Sequence, residues 1–79
     1  MKFIYILHSA KNPDHYFSGM TDNLESVLNK HNGRQIADTA RWAPWNLRTY
    51  IAFADEGKAL AYDHYLKTEE GMNYIKKRL

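Results

Sequence analysis

Residues 2–20, KFIYILHSAKNPDHYFSGM, decide the fold of this chain. Lys2–His8 is rich in β-branched and aromatic residues, a composition that favours a strand. Asn12-Pro13-Asp14 then supplies turn chemistry, because proline fixes its own φ and aspartate accepts hydrogen bonds from nearby backbone amides. His15–Met20 follows as a second, short strand that ends at Gly19. Strand, turn and strand together predict an antiparallel hairpin.

A first helix is predicted directly after this hairpin, from Thr21-Asp22 to Asn32-Gly33. Asp22 is a favourable N-cap, and Glu25 stands three residues later, as in a capping box. Asn32 and Gly33 both accept the left-handed conformation that the end of a helix often needs. Its apolar face is predicted from residues at helical spacing, which are Leu24, Val27, Leu28 and His31.

The rest of the chain predicts one more strand and further helices. The segments are a helical turn at Ile36–Arg41, a strand at Leu47–Ala54, a helix from Asp55 to about Lys67, and a last helix capped by Thr68. In the last helix, acidic residues stand in the first turn and basic residues in the final turn, which complements the helix dipole. The order ββαβαα predicts an α+β domain in which a three-stranded antiparallel sheet packs against helices.

The size and composition limit what the chain can be. Its 79 residues make one domain, 1–79, and 44% hydrophobic with 14% aromatic residues can fill a dense core. There is no cysteine, which excludes a disulfide framework and a cysteine metal site. The apolar run Phe3–Leu7 is too short for a signal-peptide core or a membrane span, so we expect a soluble, cytoplasmic protein.

The net charge of +2 is only mildly basic and does not by itself indicate nucleic-acid binding. The distribution of the basic residues is more informative. They are spaced through the middle of the chain and run together at its end: Arg34, Arg41, Arg48 and Lys76-Lys77-Arg78. The four histidines are scattered without an i, i+4 pair, so a histidine metal site is not predicted.

Taken in order, the local strings resemble the GIY-YIG nuclease superfamily. The matching strings are Phe3-Ile4-Tyr5, Tyr16-Phe17-Ser18-Gly19-Met20-Thr21, Asn23-Leu24 with Leu28, His31-Asn32, Pro44-Trp45-Asn46-Leu47, and Ala59 with Leu66 and Lys67. They extend over nearly the whole chain. The resemblance is greatest to the small single-domain bacterial members, whose domain is also similar to the N-terminal nuclease domain of UvrC.

This resemblance implies hydrolysis of a DNA phosphodiester with a divalent metal, Mg²⁺ or Mn²⁺. In the family, a Tyr of the first signature helps deprotonate water, and a Tyr of the second orients groups at the scissile phosphate. An Arg on the first helix offsets the phosphate charge, and a Glu on a later helix holds the metal. The resemblance therefore implies Tyr5 and Asp63 as catalytic residues and Asp63 as the metal ligand.

The chain departs from the family at three of these four positions. The second-signature Tyr corresponds to Phe17, which lacks the hydroxyl, and the helix Arg corresponds to Val27, which carries no charge. The metal-binding Glu corresponds to Asp63, which is one methylene shorter. We therefore predict a degenerate active site, with an apolar patch where the family has a charged cleft.

Three functions follow from these residues. The first is a GIY-YIG domain that binds nucleic acid, with DNA as the expected partner and with weak or lost phosphodiesterase activity. Its predicted contacts are His31, Asn32, Arg34, Arg41 and Arg48. The second is a working metal-dependent endonuclease that uses Tyr5 and Asp63, with Arg34 or Arg41 in place of the lost Arg. The third is a protein-interaction module that keeps only the fold.

Each candidate residue also has a structural alternative. Tyr5 is equally a core aromatic of a strand, and the carboxylate of Asp63 can bond to a Tyr hydroxyl or a backbone donor. His31 and Asn32 can instead have a purely structural role at the end of the helix. Trp42 and Trp45 can stack on unpaired bases, but tryptophans in such a loop more often close one end of a small core.

Overall fold

A computed structural model describes residues 1–79 and confirms the α+β class and the order ββαβαα. A single-turn helix interrupts the connection between the first long helix and the third strand. The elements are β1 Lys2–Ser9, β2 Tyr16–Thr21, α1 Leu24–Asn32, α2 Ala37–Ala40, β3 Trp45–Phe53, α3 Glu56–Leu66 and α4 Glu69–Arg78. No helix is long and apolar enough to span a membrane.

The three strands form one antiparallel sheet, as predicted, and their order in the sheet is β2-β1-β3. Tyr5 of the central strand pairs with Gly19 on one side and with Tyr50 on the other. On the β3 side, Ile6 pairs with Thr49 and Leu7 pairs with Leu47, so the strand bulges between these pairs. β3 begins at Trp45, which pairs with Ser9, two residues before the predicted start.

The helix ends differ in detail from the sequence-based prediction. Asn23 is the N-cap of α1, and its side chain accepts from Ser26 N, so the predicted capping by Asp22 is wrong. Thr21 explains the shift, because its hydroxyl accepts from the Asn23 amide and holds the chain extended for one more residue. At the other end, Gly33 has a φ of −80°, and Arg34 adopts the positive φ, 60°. The left-handed residue is therefore one position beyond the predicted pair.

Both faces of β1 are covered, and each face has its own core. Ile4 and Ile6 point towards α3 and α4, where a cluster of buried residues is completed by Ala59, Leu66 and Ile75. Tyr5 and Leu7 point the other way, against Ala43 and Trp45, with partly buried residues of α1 around them. Successive side chains of a strand point to opposite faces of the sheet. Since both faces of β1 are buried, every residue from Ile4 to Leu7 is hydrophobic.

Candidate active site

Tyr5 reaches across the domain to the end of α1. Its hydroxyl lies 2.9 Å from Nε2 of His31, and Nδ1 of His31 lies 2.7 Å from the hydroxyl of Thr39 in α2. All three side chains are buried, with His31 completely inaccessible to solvent. β1, α1 and α2 are thus joined by one chain of buried polar groups, each with a partner.

The direction of each bond in this chain follows from the tautomer of His31. With the ring proton on Nδ1, His31 donates to the hydroxyl oxygen of Thr39, and that hydroxyl can donate in turn to the carbonyl oxygen of Ile36 at 3.4 Å. Nε2 is then the acceptor for the hydroxyl proton of Tyr5. Burial lowers the pKa of His31, which favours this neutral imidazole. Burial, and next the negative charge of Asp63, raise the pKa of Tyr5 to about 12.

Gly19 makes room for the Tyr5 hydroxyl. A Cβ atom built on Gly19 would lie 2.4 Å from the hydroxyl oxygen of Tyr5, which no real side chain tolerates. The Tyr5 ring therefore lies directly on the backbone of β2. Phe17, two residues earlier on the same face, places its ring centroid 5.0 Å from that of His31 and 6.3 Å from that of Tyr5. The second-signature position thus contributes a hydrocarbon wall beside the polar chain.

Val27 lies on the inner side of α1 and is partly buried against the cluster that contains Tyr5 and Leu7. Its packing agrees with the predicted apolar face of this helix. Tyr5 has His31 as its hydrogen-bond partner, and no arginine donates to its hydroxyl. The position at which the resemblance places a guanidinium is therefore filled by hydrocarbon.

Asp63 extends from α3 towards the same region. Its side chain is 14% exposed, and Oδ1 is buried without a hydrogen-bond partner. Oδ1 faces Nζ of Lys67 at 3.4 Å, one helical turn later. This pair is an ion pair rather than a hydrogen bond, because 3.4 Å is long for an N–H···O bond. For Oδ1, therefore, neither a Tyr hydroxyl nor a backbone amide is the partner.

Lys67 was not among the predicted site residues. Besides Asp63, its ammonium group contacts the carbonyl oxygen of Ser18 at 2.7 Å and lies 5.5 Å from the ring centroid of Phe17. The i, i+4 spacing of Asp63 and Lys67 was the available signal. That signal is weak, because such spacing is common on helix surfaces. Ser18 and Phe17 come close to Lys67 only through the packing of α3 against β2.

The five predicted nucleic-acid contacts do not share one local environment. Arg41 lies over the ring of Trp42, which in turn stacks on His15 with centroids 4.1 Å apart. Arg48 lies over Tyr16 and donates from Nε to the carbonyl oxygen of Leu79. Arg34 is exposed after the end of α1. The arginines are thus held by different elements of the domain.

Asn32 and Trp45 have structural roles in the connection to β3. The Asn32 side chain accepts from the backbone N–H of Trp45 at 2.5 Å and donates to its carbonyl oxygen at 3.2 Å. The Trp45 ring is buried, and its Nε1–H donates to the carbonyl oxygen of Thr39 at 2.9 Å. Asn32 therefore ties the end of α1 to the first residue of β3.

The comparison with family models agrees with this fold and geometry. Residues 1–77 match the model described as the GIY-YIG catalytic domain, so the chain belongs to the GIY-YIG family. No curated protein matches the chain. The match supports nuclease-superfamily membership and a nucleic-acid substrate class, and nucleases of this family typically depend on a divalent metal.

The residues around Asp63 do not fit such a metal as they stand. No group of three or more His, Asp or Glu side chains could hold a cation together. Hard cations need several oxygen ligands, and here one carboxylate oxygen without a protein hydrogen bond faces an ammonium group. A divalent cation at Oδ1 would have to displace Lys67 or share the carboxylate with it.

Proposed function

We propose that this domain binds nucleic acid and hydrolyses phosphodiester bonds weakly or not at all. One observation carries the proposal. Phe17 and Val27 pack against the Tyr5 cluster at the positions where the resemblance places a hydroxyl and a guanidinium. Tyr5 keeps its hydroxyl, but that hydroxyl is hydrogen-bonded to His31, and neither Phe17 nor Val27 offers a phosphate a donor or a charge.

The expected loss of rate is large. Removing one preorganised donor to a developing negative charge costs about 10²–10³ in rate. Removing a positioned proton-transfer group costs about 10²–10⁴. The two losses do not multiply, because such residues act as a unit. Either loss by itself is large enough to make ordinary turnover slow.

Binding is supported by exposed positive charge that acidic side chains do not neutralise. Of its eleven Lys and Arg residues, only Lys2 and Lys67 form ion pairs. We assign phosphate contacts to Arg34, Arg41 and Arg48, which are all exposed. The contacts predicted for His31 and Asn32 stay predictions, since both side chains are already hydrogen-bonded inside the domain.

A working endonuclease is the second candidate, and the Tyr5–His31 pair favours it. Nε2 of the neutral imidazole holds the Tyr5 hydroxyl in a fixed orientation at 2.9 Å, as a catalytic tyrosine requires. In this candidate Asp63 is the predicted metal ligand, and Arg34 or Arg41 replaces the missing charge.

The test measures binding and cleavage in the same samples. Purified protein is incubated with branched, linear duplex and single-stranded DNA in the presence of Mg²⁺ or Mn²⁺. A gel then shows both the mobility shift of bound DNA and any cleavage product. We expect a shift that weakens steeply with salt, since phosphate contacts release counterions, and negligible product. Arg41→Gln should weaken binding, whereas Lys58→Gln, an exposed charge on α3, is the matched control. Absence of any salt-sensitive shift would support the protein-interaction module instead.

A further inference from the structure

The ammonium group of Lys67 occupies a small cation site of its own. One oxygen of Asp63 lies at 3.4 Å and the carbonyl oxygen of Ser18 at 2.7 Å, and the face of Phe17 lies beneath it. A carboxylate, a carbonyl and an aromatic face are three different groups that attract a cation. They come from α3 and β2, so the site exists only in the folded domain.

We propose that Lys67 is the resident cation of Asp63 and occupies the place that a divalent metal would otherwise take. A buried carboxylate oxygen without a hydrogen bond is unfavourable unless a positive charge compensates it. Lys67 supplies that charge from within the chain. The negative charge of Asp63 is thereby compensated without a metal, and a metal must compete with an ammonium group that belongs to the same chain.

Phe17 has a part in this arrangement. A phenyl ring offers the ammonium group its negative face and no hydroxyl with which to bind a metal-bound water. Lys67 borders an open pocket of about 350 Å³ that also includes Phe17, Ser18 and Asp38. Its side chain is 51% exposed, so it has space to swing into solvent. The site can therefore be opened by mutation without removing a core residue.

Exclusion of a metal by Lys67 is a property of the protein without nucleic acid, so the experiment contains no DNA. The probe is Mn²⁺, which broadens the NMR signals of amides close to where it binds. Wild type, Lys67→Met and Lys67→Arg are ¹⁵N-labelled and titrated with Mn²⁺. Amides near Glu69 and Glu70, exposed on α4, report non-specific binding in every sample.

In Lys67→Met we expect broadening centred on Asp63, Gly19 and Tyr5 at Mn²⁺ concentrations at least about ten-fold lower than in wild type. This factor follows from removing the repulsion between a unit charge and a divalent ion at a separation of about 4 Å. Lys67→Arg should behave as wild type because it keeps the charge. Adding Asp63→Asn to Lys67→Met should abolish the effect.

Two outcomes overturn the proposal. If wild type is broadened at Asp63 as readily as Lys67→Met, the ammonium group does not exclude the metal. If neither protein is broadened there, Asp63 is not a cation site. Lys67→Gln, polar and of similar length, replaces Lys67→Met if the spectrum shows that the methionine variant is unfolded.

Discussion

The hydroxyl of Tyr5 and Nε2 of His31 lie 2.9 Å apart, although the two residues are 26 positions apart in the chain. The bond joins the middle of the central strand to the last turn of α1. Both residues titrate, and both are shielded from water. The pair therefore makes the stability of the fold depend on pH at both ends of the scale.

Alkaline pH should destabilise the domain through Tyr5. In the folded state its pKa is raised to about 12, so the stabilisation is complete below pH 10 and is lost between about 10 and 12, as only the unfolded chain ionises. The shift corresponds to about 2–3 kcal/mol. Urea denaturation at pH 8, 10 and 11 measures it. Tyr5→Phe should reduce the alkaline slope to the part that comes from Tyr62, whose pKa is also about 12.

Tyr50→Phe is the control for that measurement, because Tyr50 lies beside Tyr5 on β3 but is 52% exposed. In Tyr50→Phe the free energy of unfolding should fall between pH 8 and pH 11 as steeply as in wild type. An equal reduction in both variants would show that the burial of Tyr5 is not the cause.

Acid pH should destabilise the domain through His31. Burial lowers its pKa, so the stabilisation from the neutral ring is present above its ordinary pKa of about 6.5 and is lost as pH falls through the lowered value. Unfolding free energies at pH 7, 6 and 5 should therefore decline in wild type and decline less in His31→Gln. His64→Gln, at an exposed position of α3, controls for loss of an imidazole. The prediction would be contradicted if the free energy of unfolding changed with pH equally in all three proteins.

Gly19→Ala should displace the Tyr5 hydroxyl. The added Cβ would lie 2.4 Å from that oxygen, so the ring must move and the bond to His31 must lengthen or break. We expect a loss of about 1–3 kcal/mol in stability, typical of overpacking. Gly57→Ala is the matched control, because its Cβ would meet only the Asp55 side chain, at 3.2 Å. A fully stable Gly19→Ala protein with unchanged His31 ring signals would disprove the close contact.

Asn32→Ala should destabilise the connection between α1 and β3. It removes two hydrogen bonds to the backbone of Trp45 and leaves a part-buried amide unpaired, which costs about 1–3 kcal/mol. Thermal or urea unfolding measures the loss, and Asn29→Ala on the exposed side of α1 controls for it. If Asn32→Ala is stable yet binds DNA less well, the predicted nucleic-acid contact of Asn32 gains support.

Restoring the family residues should raise DNA cleavage. The variant combines Phe17→Tyr, Val27→Arg and Asp63→Glu, and cleavage with Mg²⁺ or Mn²⁺ is compared with wild type. We expect a gain of about 10² or more, the scale of one recovered charge-stabilising group. Folding is checked first by circular dichroism, because Arg at position 27 is placed against the core. Robust cleavage by wild type that is abolished in Asp63→Ala would instead make the endonuclease the first candidate.

Much of the fold was determined by local sequence. The β-branched and aromatic composition of Lys2–His8 predicted β1, the alternation in Leu47–Ala54 predicted β3, and the Asn-Pro-Asp turn predicted the hairpin. Asp55 and Thr68 cap α3 and α4 as predicted, because a side-chain oxygen next to a helix start bonds to an amide three residues away. Where a neighbour competed, as Thr21 does with Asp22, the boundary moved by one residue.

The order of the strings indicated the family, and the residue types at Phe17 and Val27 indicated what chemistry is missing. Only the tertiary structure brings His31 to Tyr5 and Lys67 to Asp63, Phe17 and Ser18. These contacts depend on the crossing of α1 over one face of β1 and the packing of α3 over the other. No local pattern encodes such distances, because they are set by how side chains distant in sequence fill a shared core.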